Sequence, residues 1–149
     1  MRISILLPYK ENFSPTYAGA VSLFVKDTVK LSEYKKYITV FGNTNLKNIF
    51  KLSYKNIDLK KNIIQSGSKL YVNEFLKFEN KSPSDLIEIH NRPNYFHLIH
   101  KEINNQKIVL YFHNDPLTMT GSKSVADRKK LLNHATKIIF NSHWSRKRF

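Results

Sequence analysis

Apolar residues along the chain fall into short unbroken runs that alternate with segments of helical spacing. RISILLP (Arg2–Pro8) is a continuous apolar run closed by proline. YITVFG (Tyr37–Gly42), DLIEIH (Asp85–His90), KIVLYFH (Lys107–His113) and TKIIFN (Thr136–Asn141) repeat the pattern, rich in β-branched and aromatic residues. Runs of this length without polar alternation read as strands buried on both faces. Between them, AVSLFVKDTVKLSE, starting at Ala20, sets Val21, Phe24, Val25 and Val29 at helical spacing, and Lys69–Glu79 does the same with Leu70, Val72, Phe75, Leu76 and Phe78. RPNYFHLIHKEIN carries Pro93 in its first turn, where a missing N–H costs a helix nothing. SVADRKKLLNHA (Ser124–Ala135) begins with a capping serine and an acid, then turns basic, as the helix dipole favours. SHWSRKRF begins a last helix capped by Asn141 or Ser142. Residues 43–66 show no clear period and are expected to supply one short strand with irregular connections.

Strands alternating with helices predict an α/β fold: a Rossmann-like parallel sheet with helices on both faces, one domain covering residues 1–149. In such a sheet every strand ends at the same edge. The polar segments Pro8–Gly19, His90–Pro93, His113–Pro116 and Asn141–His143 should therefore converge on one rim, the usual place for a ligand crevice.

Composition adjusts this picture in three ways. With 41% hydrophobic and 13% aromatic residues the chain can fill a core. It has no cysteine, which excludes disulfides and thiolate metal sites and suits a reducing compartment, so the cytoplasm is the expected location. The apolar stretch before Pro8 is too short for a signal peptide or a bilayer span. The formal charge of +14 invites an anionic partner. Yet 20 of the 25 basic residues are lysines scattered through the chain, and the densest run is SRKRF. Base-reading proteins lean on clustered arginine, so weak attraction to an anionic membrane surface is favoured over nucleic acid.

At the rim, Gly19 stands where the first loop becomes the first helix, so unpaired N–H groups there suit a phosphate. No GxGxxG, GxxxxGK[ST] or GxSxG motif occurs, nor any Asp-x-Asp pair that would hold a divalent ion against a diphosphate. His97 and His100, three apart on a predicted helix, would permit a metal site with His90 or His113, but no carboxylate pair accompanies them and no metal is expected.

The order YAGAVSLFVKD, IHNRP, YFHNDP, DRKKLLNHA and KIIFNSHWSRKRF resembles the N-terminal domain of family-four glycosyltransferases with the GT-B fold. The resemblance covers nearly the whole chain and is most specific from His90 to Phe149, with an H-x-R-P turn, an F-H-x-x-P turn and an N-S strand exit. It implies one half of a GT-B architecture that mainly holds the acceptor, in an enzyme moving a sugar from a nucleotide sugar to a glycan or lipid-linked acceptor with retention. By this resemblance His113 would lie beside the transferred sugar as the catalytic residue, His90 and Arg92 would line the acceptor pocket with Asn114 and Asp115 as neighbours, and the Gly19 N–H would approach the donor diphosphate. No cofactor beyond the nucleotide-sugar co-substrate is implied. The first loop has Ala18-Gly19 where the family has Gly-Gly, and no two glutamates are spaced as in the E-x7-E helix of the family's second domain. With its last helix cut short at Phe149, the chain is expected to be one domain of a longer or truncated protein, inactive alone and peripheral at the inner face of the cell membrane. The competing expectation, from another class, is a non-catalytic basic module for an anionic polymer or membrane surface.

Overall fold

The computed structural model describes residues 1–59, 66–103 and 105–149. Six strands form one sheet: β1 (Ile3–Leu6), β2 (Ile38–Gly42), β3 (Tyr54–Asn56), β4 (Leu86–His90), β5 (Lys107–Phe112) and β6 (Lys137–Phe140). Every pairing is parallel, in the order β3-β2-β1-β4-β5-β6. The strand order reverses between β1 and β4, the topological switch point of a Rossmann-like fold, where neighbouring connections leave toward opposite faces and open a crevice. Among the described residues, five α-helices flank the sheet: α1 (Ala20–Leu31), α2 (Gly67–Lys81), α3 (Pro93–Ile99), α4 (Val125–His134) and α5 (His143–Arg148).

Two cores follow from the period-2 alternation of the strands. On one face Leu6, Phe41, Ile87, Ile89, Leu110 and Phe112 meet Tyr71, Val72 and Phe75 of α2, Phe96 and Ile99 of α3 and Leu131 of α4. On the other, Ile3, Ile5, Leu7, Ile38 and Val40 meet Val21, Val25 and Val29 of α1. Burying side chains of this size contributes about 1.5–3 kcal/mol each before chain entropy is counted. Among the described residues α1 is the one helix in the second core, joined by Phe13, Phe50 and Leu52 from loops. The same face of β4, β5 and β6 is therefore more open: Glu88, Val109, Tyr111 and Ile139 keep partial exposure.

The predicted elements stand with shifted ends. Helix α2 begins two residues early because Ser66 Oγ accepts from Lys69 N. Helix α3, expected through residue 104, stops at Ile99, where the Glu102 N–H bonds to the Ile99 carbonyl and tightens the chain into a turn. Residue 104 and residues 60–65, parts of that helix and of the irregular connection, lie outside the described residues. The short strand expected within 43–66 is β3, three residues on the sheet's edge. Among the described residues no helix is long and apolar enough to cross a membrane.

Candidate functional site

Strands β4 and β5 are neighbours, with His90 opposite Tyr111. Paired residues of parallel strands point to the same face, so Glu88, His90, Tyr111 and His113 all lie on the α1 side of the sheet. The chain then leaves β4 through Asn91, in the left-handed region at φ 55°, a conformation that asparagine tolerates better than most residues. Asn91 is almost fully buried; its N–H donates to the Tyr111 carbonyl and its Oδ1 accepts from His113 N at 3.3 Å. From the next strand end, Asn141 Nδ2 donates to the His113 carbonyl at 2.8 Å. Two amides thus hold the backbone of His113 just past β5.

The ring of His113 is held as firmly. His90 Nδ1 and His113 Nε2 are 2.9 Å apart, and His90 Nε2–H donates to Glu88 Oε1 at 2.6 Å. His90 stacks on Tyr111 with centroids 4.7 Å apart, and Phe24 of α1 meets His113 edge-on at 5.0 Å. Burial, and next the adjoining His90, push the pKa of the His113 imidazolium down to about 4, against a smaller opposing pull from Glu88. His113 therefore presents a neutral ring at physiological pH. Its Nδ1 makes no hydrogen bond among the described residues. Tyr111 stays a phenol, its ionisation pushed up by burial and then by Glu88.

No protein-family model matches this chain, and neither does any curated protein. The chemistry of the rim and the strand-end motifs carry the functional reading.

The rim brings some expected site residues together and separates others. His90, expected to line a pocket, is fully buried with both ring nitrogens engaged, so it supports His113 from behind and offers no surface to a ligand. Arg92 donates from Nη1 to the Asn91 carbonyl at 2.8 Å and lines a cleft of about 330 Å³ with Ser68, Asn94, Thr118, Met119 and Thr120. His113 is not among the residues lining that cleft. Asn114 is exposed at the crest, its carbonyl accepting from Ser145 Oγ at 3.3 Å. Asp115 is committed elsewhere: it caps Leu117 N at 3.0 Å and takes two guanidinium nitrogens of Arg148, the nearest contact being 2.9 Å. Arg148, then the Leu117 N–H among the lesser causes, holds its carboxyl below the usual range. Its place is to tie α5 to the rim.

Gly19 caps α1 with extended backbone, and Phe24 lies about 7 Å further along that helix, against His113. The helix start and the imidazole thus share one face. The orphan N–H groups at this start are not all free, however, because Glu11 reaches back and accepts from Ser22 N at 3.1 Å. A Cβ at position 19 would overlap the Glu11 carboxylate. The chain supplies its own anion where a diphosphate was expected, and a donor would have to displace it.

The histidines considered for metal are also accounted for. His97 Nε2–H donates to the Gly121 carbonyl at 2.8 Å, and His100 stacks between Phe96 and His134. A cavity of about 750 Å³ lies at the opposite edge of the sheet near the strand starts. Its buried carboxylate, Glu79, is engaged by Ser4 and Ser84.

Glu88, Glu11 and Asn91 were not singled out from sequence. A signal for Glu88 was present: a carboxylate two residues before His90 in an otherwise apolar strand must share its face. Nothing in the local sequence marks Glu11.

Proposed function

We propose that this chain is the acceptor-side domain of a retaining glycosyltransferase, with His113 beside the transferred sugar. The observation that carries the reading is the His90–His113 pair at adjacent strand ends, beside the start of α1 and within motifs that resemble that family. A neutral imidazole braced on three sides is suited to hydrogen-bonding a sugar hydroxyl without bringing in a full charge. Same-face attack, in which the departing diphosphate takes the acceptor's proton, needs no protein base, so His113 acts by positioning and polarity. The nucleotide-sugar donor would be held mainly by a second domain, and the acceptor, a glycan or lipid-linked glycan, by this one. Scattered lysines suit a peripheral position on an anionic membrane, where each basic residue near the surface adds about 1 kcal/mol.

Anomeric analysis of the first-formed product, in the presence of a donor-binding half, tests the reading: retention is expected, and inversion or no transfer would refute it. Arg92→Ala is expected to raise the acceptor KM several-fold while leaving donor hydrolysis nearly unchanged, because His113 does not itself line the Arg92 cleft. Parallel steady-state measurements of transfer and hydrolysis check this; an equal loss in both would move Arg92 out of the acceptor pocket.

A further inference from the structure

Glu88 has no part in the reading above, yet it ends a continuous chain of hydrogen bonds: Glu88 Oε1, His90 Nε2, His90 Nδ1, His113 Nε2. A carboxylate can only accept, so the Glu88 contact places a proton on His90 Nε2. Neutral His90 then has a bare Nδ1, which must accept from His113 Nε2–H. That leaves the Nδ1 of the part-buried His113 ring, which has no partner among the described residues, as a lone pair. The tautomer of the ring facing the crevice is dictated two residues away.

We propose that Glu88, His90 and His113 form a proton relay that reverses the hydrogen-bonding polarity of the His113 Nδ1. A proton arriving at that nitrogen is matched by transfer of the His113 Nε2 proton to His90 Nδ1. One N–H bond forms at each ring, one breaks at His113 Nε2, and the positive charge comes to rest on His90. His113 stays neutral throughout, changing from hydrogen-bond acceptor to donor at the crevice.

Several features favour charge on His90 over charge on His113. The Glu88 carboxylate touches His90 directly, whereas His113 meets it only through that ring. Tyr111 lies flat against His90, 11° from coplanar, with its π face toward the imidazole. Among the described residues, the side chains that contact the trio are uncharged: Phe24 comes from α1, Asn141 from the turn after β6, and Tyr111 stays protonated. The resistance of His113 to carrying a cation above about pH 4 agrees with this order of uptake. Glu88 is thus a positioning residue, acting through His90. The relay rests on the proposed function only for what the reversed nitrogen meets: a sugar hydroxyl as donor on one side of the transition, and a hydroxyl or leaving-group oxygen as acceptor on the other.

Nitrogen-detected NMR of the histidine rings across a pH titration tests the relay with no sugar present. Above the midpoint of the pair's proton uptake, His113 is expected to show a bare Nδ1 and a protonated Nε2. Below it the pattern on His113 reverses while both nitrogens of His90 become protonated. Glu88→Gln is expected to lower the midpoint by about one pH unit or more, a tenfold or greater loss of proton affinity. An imidazolium on His113 with His90 neutral, an Nδ1–H on His113 at high pH, or an unchanged midpoint in Glu88→Gln would overturn the relay. If Glu88→Gln fails to fold, the wild-type tautomers decide the question. Failure here leaves the glycosyltransferase reading standing. A tautomer switch in a protein that transfers no sugar would do the reverse.

Discussion

His113→Ala is expected to lower sugar transfer by roughly 10²–10³-fold in a protein that also has the donor-binding half, with the fold intact. The loss follows from the way the ring is held. A hydrogen bond that a side chain makes only after reorganising gains little in the transition state, but His113 is preorganised by Asn91 and Asn141 on its backbone and by His90 and Phe24 on its ring. Its removal deletes a fixed dipole at the reacting centre and admits water in its place. A 10²–10³-fold loss corresponds to about 3–4 kcal/mol of transition-state stabilisation. The ring is only half-buried, so truncation opens a small gap facing solvent, and the melting temperature is expected to move by no more than a few degrees. His134→Ala, at the far end of α4, serves as the control and should transfer sugar normally. Initial rates with matched thermal melts check the pair; near-normal transfer by His113→Ala removes that residue from the site.

The second large effect falls on stability. Glu79→Ala is expected to destabilise the fold by about 3–5 kcal/mol, read as a lower urea midpoint with little change in slope. Glu79 is fully buried near the C-terminal end of α2. It accepts from Ser4 Oγ at 2.6 Å, Ser84 N at 2.9 Å and Ser84 Oγ at 2.7 Å, and pairs with Arg2 Nη2 at 3.6 Å. One carboxylate thereby fastens α2 to β1 and to the turn that feeds β4. Alanine would leave a largely buried guanidinium and three donors without their acceptor, and unmade bonds of this kind cost more than the bonds contribute when made. Against a typical total of about 5–15 kcal/mol the loss is large. Glu79→Gln, which keeps the volume and one acceptor, should fall between alanine and wild type. A midpoint unchanged in Glu79→Ala would mean that the cluster is held by packing alone.

The parallel sheet was legible because its strands are buried on both faces, which leaves unbroken apolar runs such as KIVLYF. The cap at Ser124 was legible because it accepts from the N–H three residues on, a purely local interaction; Ser142, one of two candidates, does the same, whereas the cap at Ser66 was missed and the start of α2 was placed two residues late. The convergence of His90 and His113 on one rim follows from parallel pairing, and the structure sets the two rings in direct contact. What sequence could not supply were partners brought together by the tertiary fold. The Asp115–Arg148 pair spans 33 positions, so an aspartate in a polar strand-end cluster looked available when it is engaged. Glu11 reaches α1 from a loop without periodicity, and its carboxylate fills a place that the first glycine seemed to leave open. The burial of His90 depends on α1 lying over that part of the sheet, which a strand pattern does not encode.

The most direct test of the rim as a carbohydrate site is a heteronuclear NMR map of the chain titrated with neutral oligosaccharides, and separately with an anionic polymer, at about 50 and 200 mM salt. Contacts with phosphates or other polyanions weaken by orders of magnitude over that range, whereas sugar recognition by neutral polar groups does not. A carbohydrate site on the rim should give oligosaccharide-induced shifts centred on Arg92, His113 and Asn114 that persist at the higher salt. Shifts confined to scattered lysines, caused by the polymer alone and abolished by salt, would contradict it.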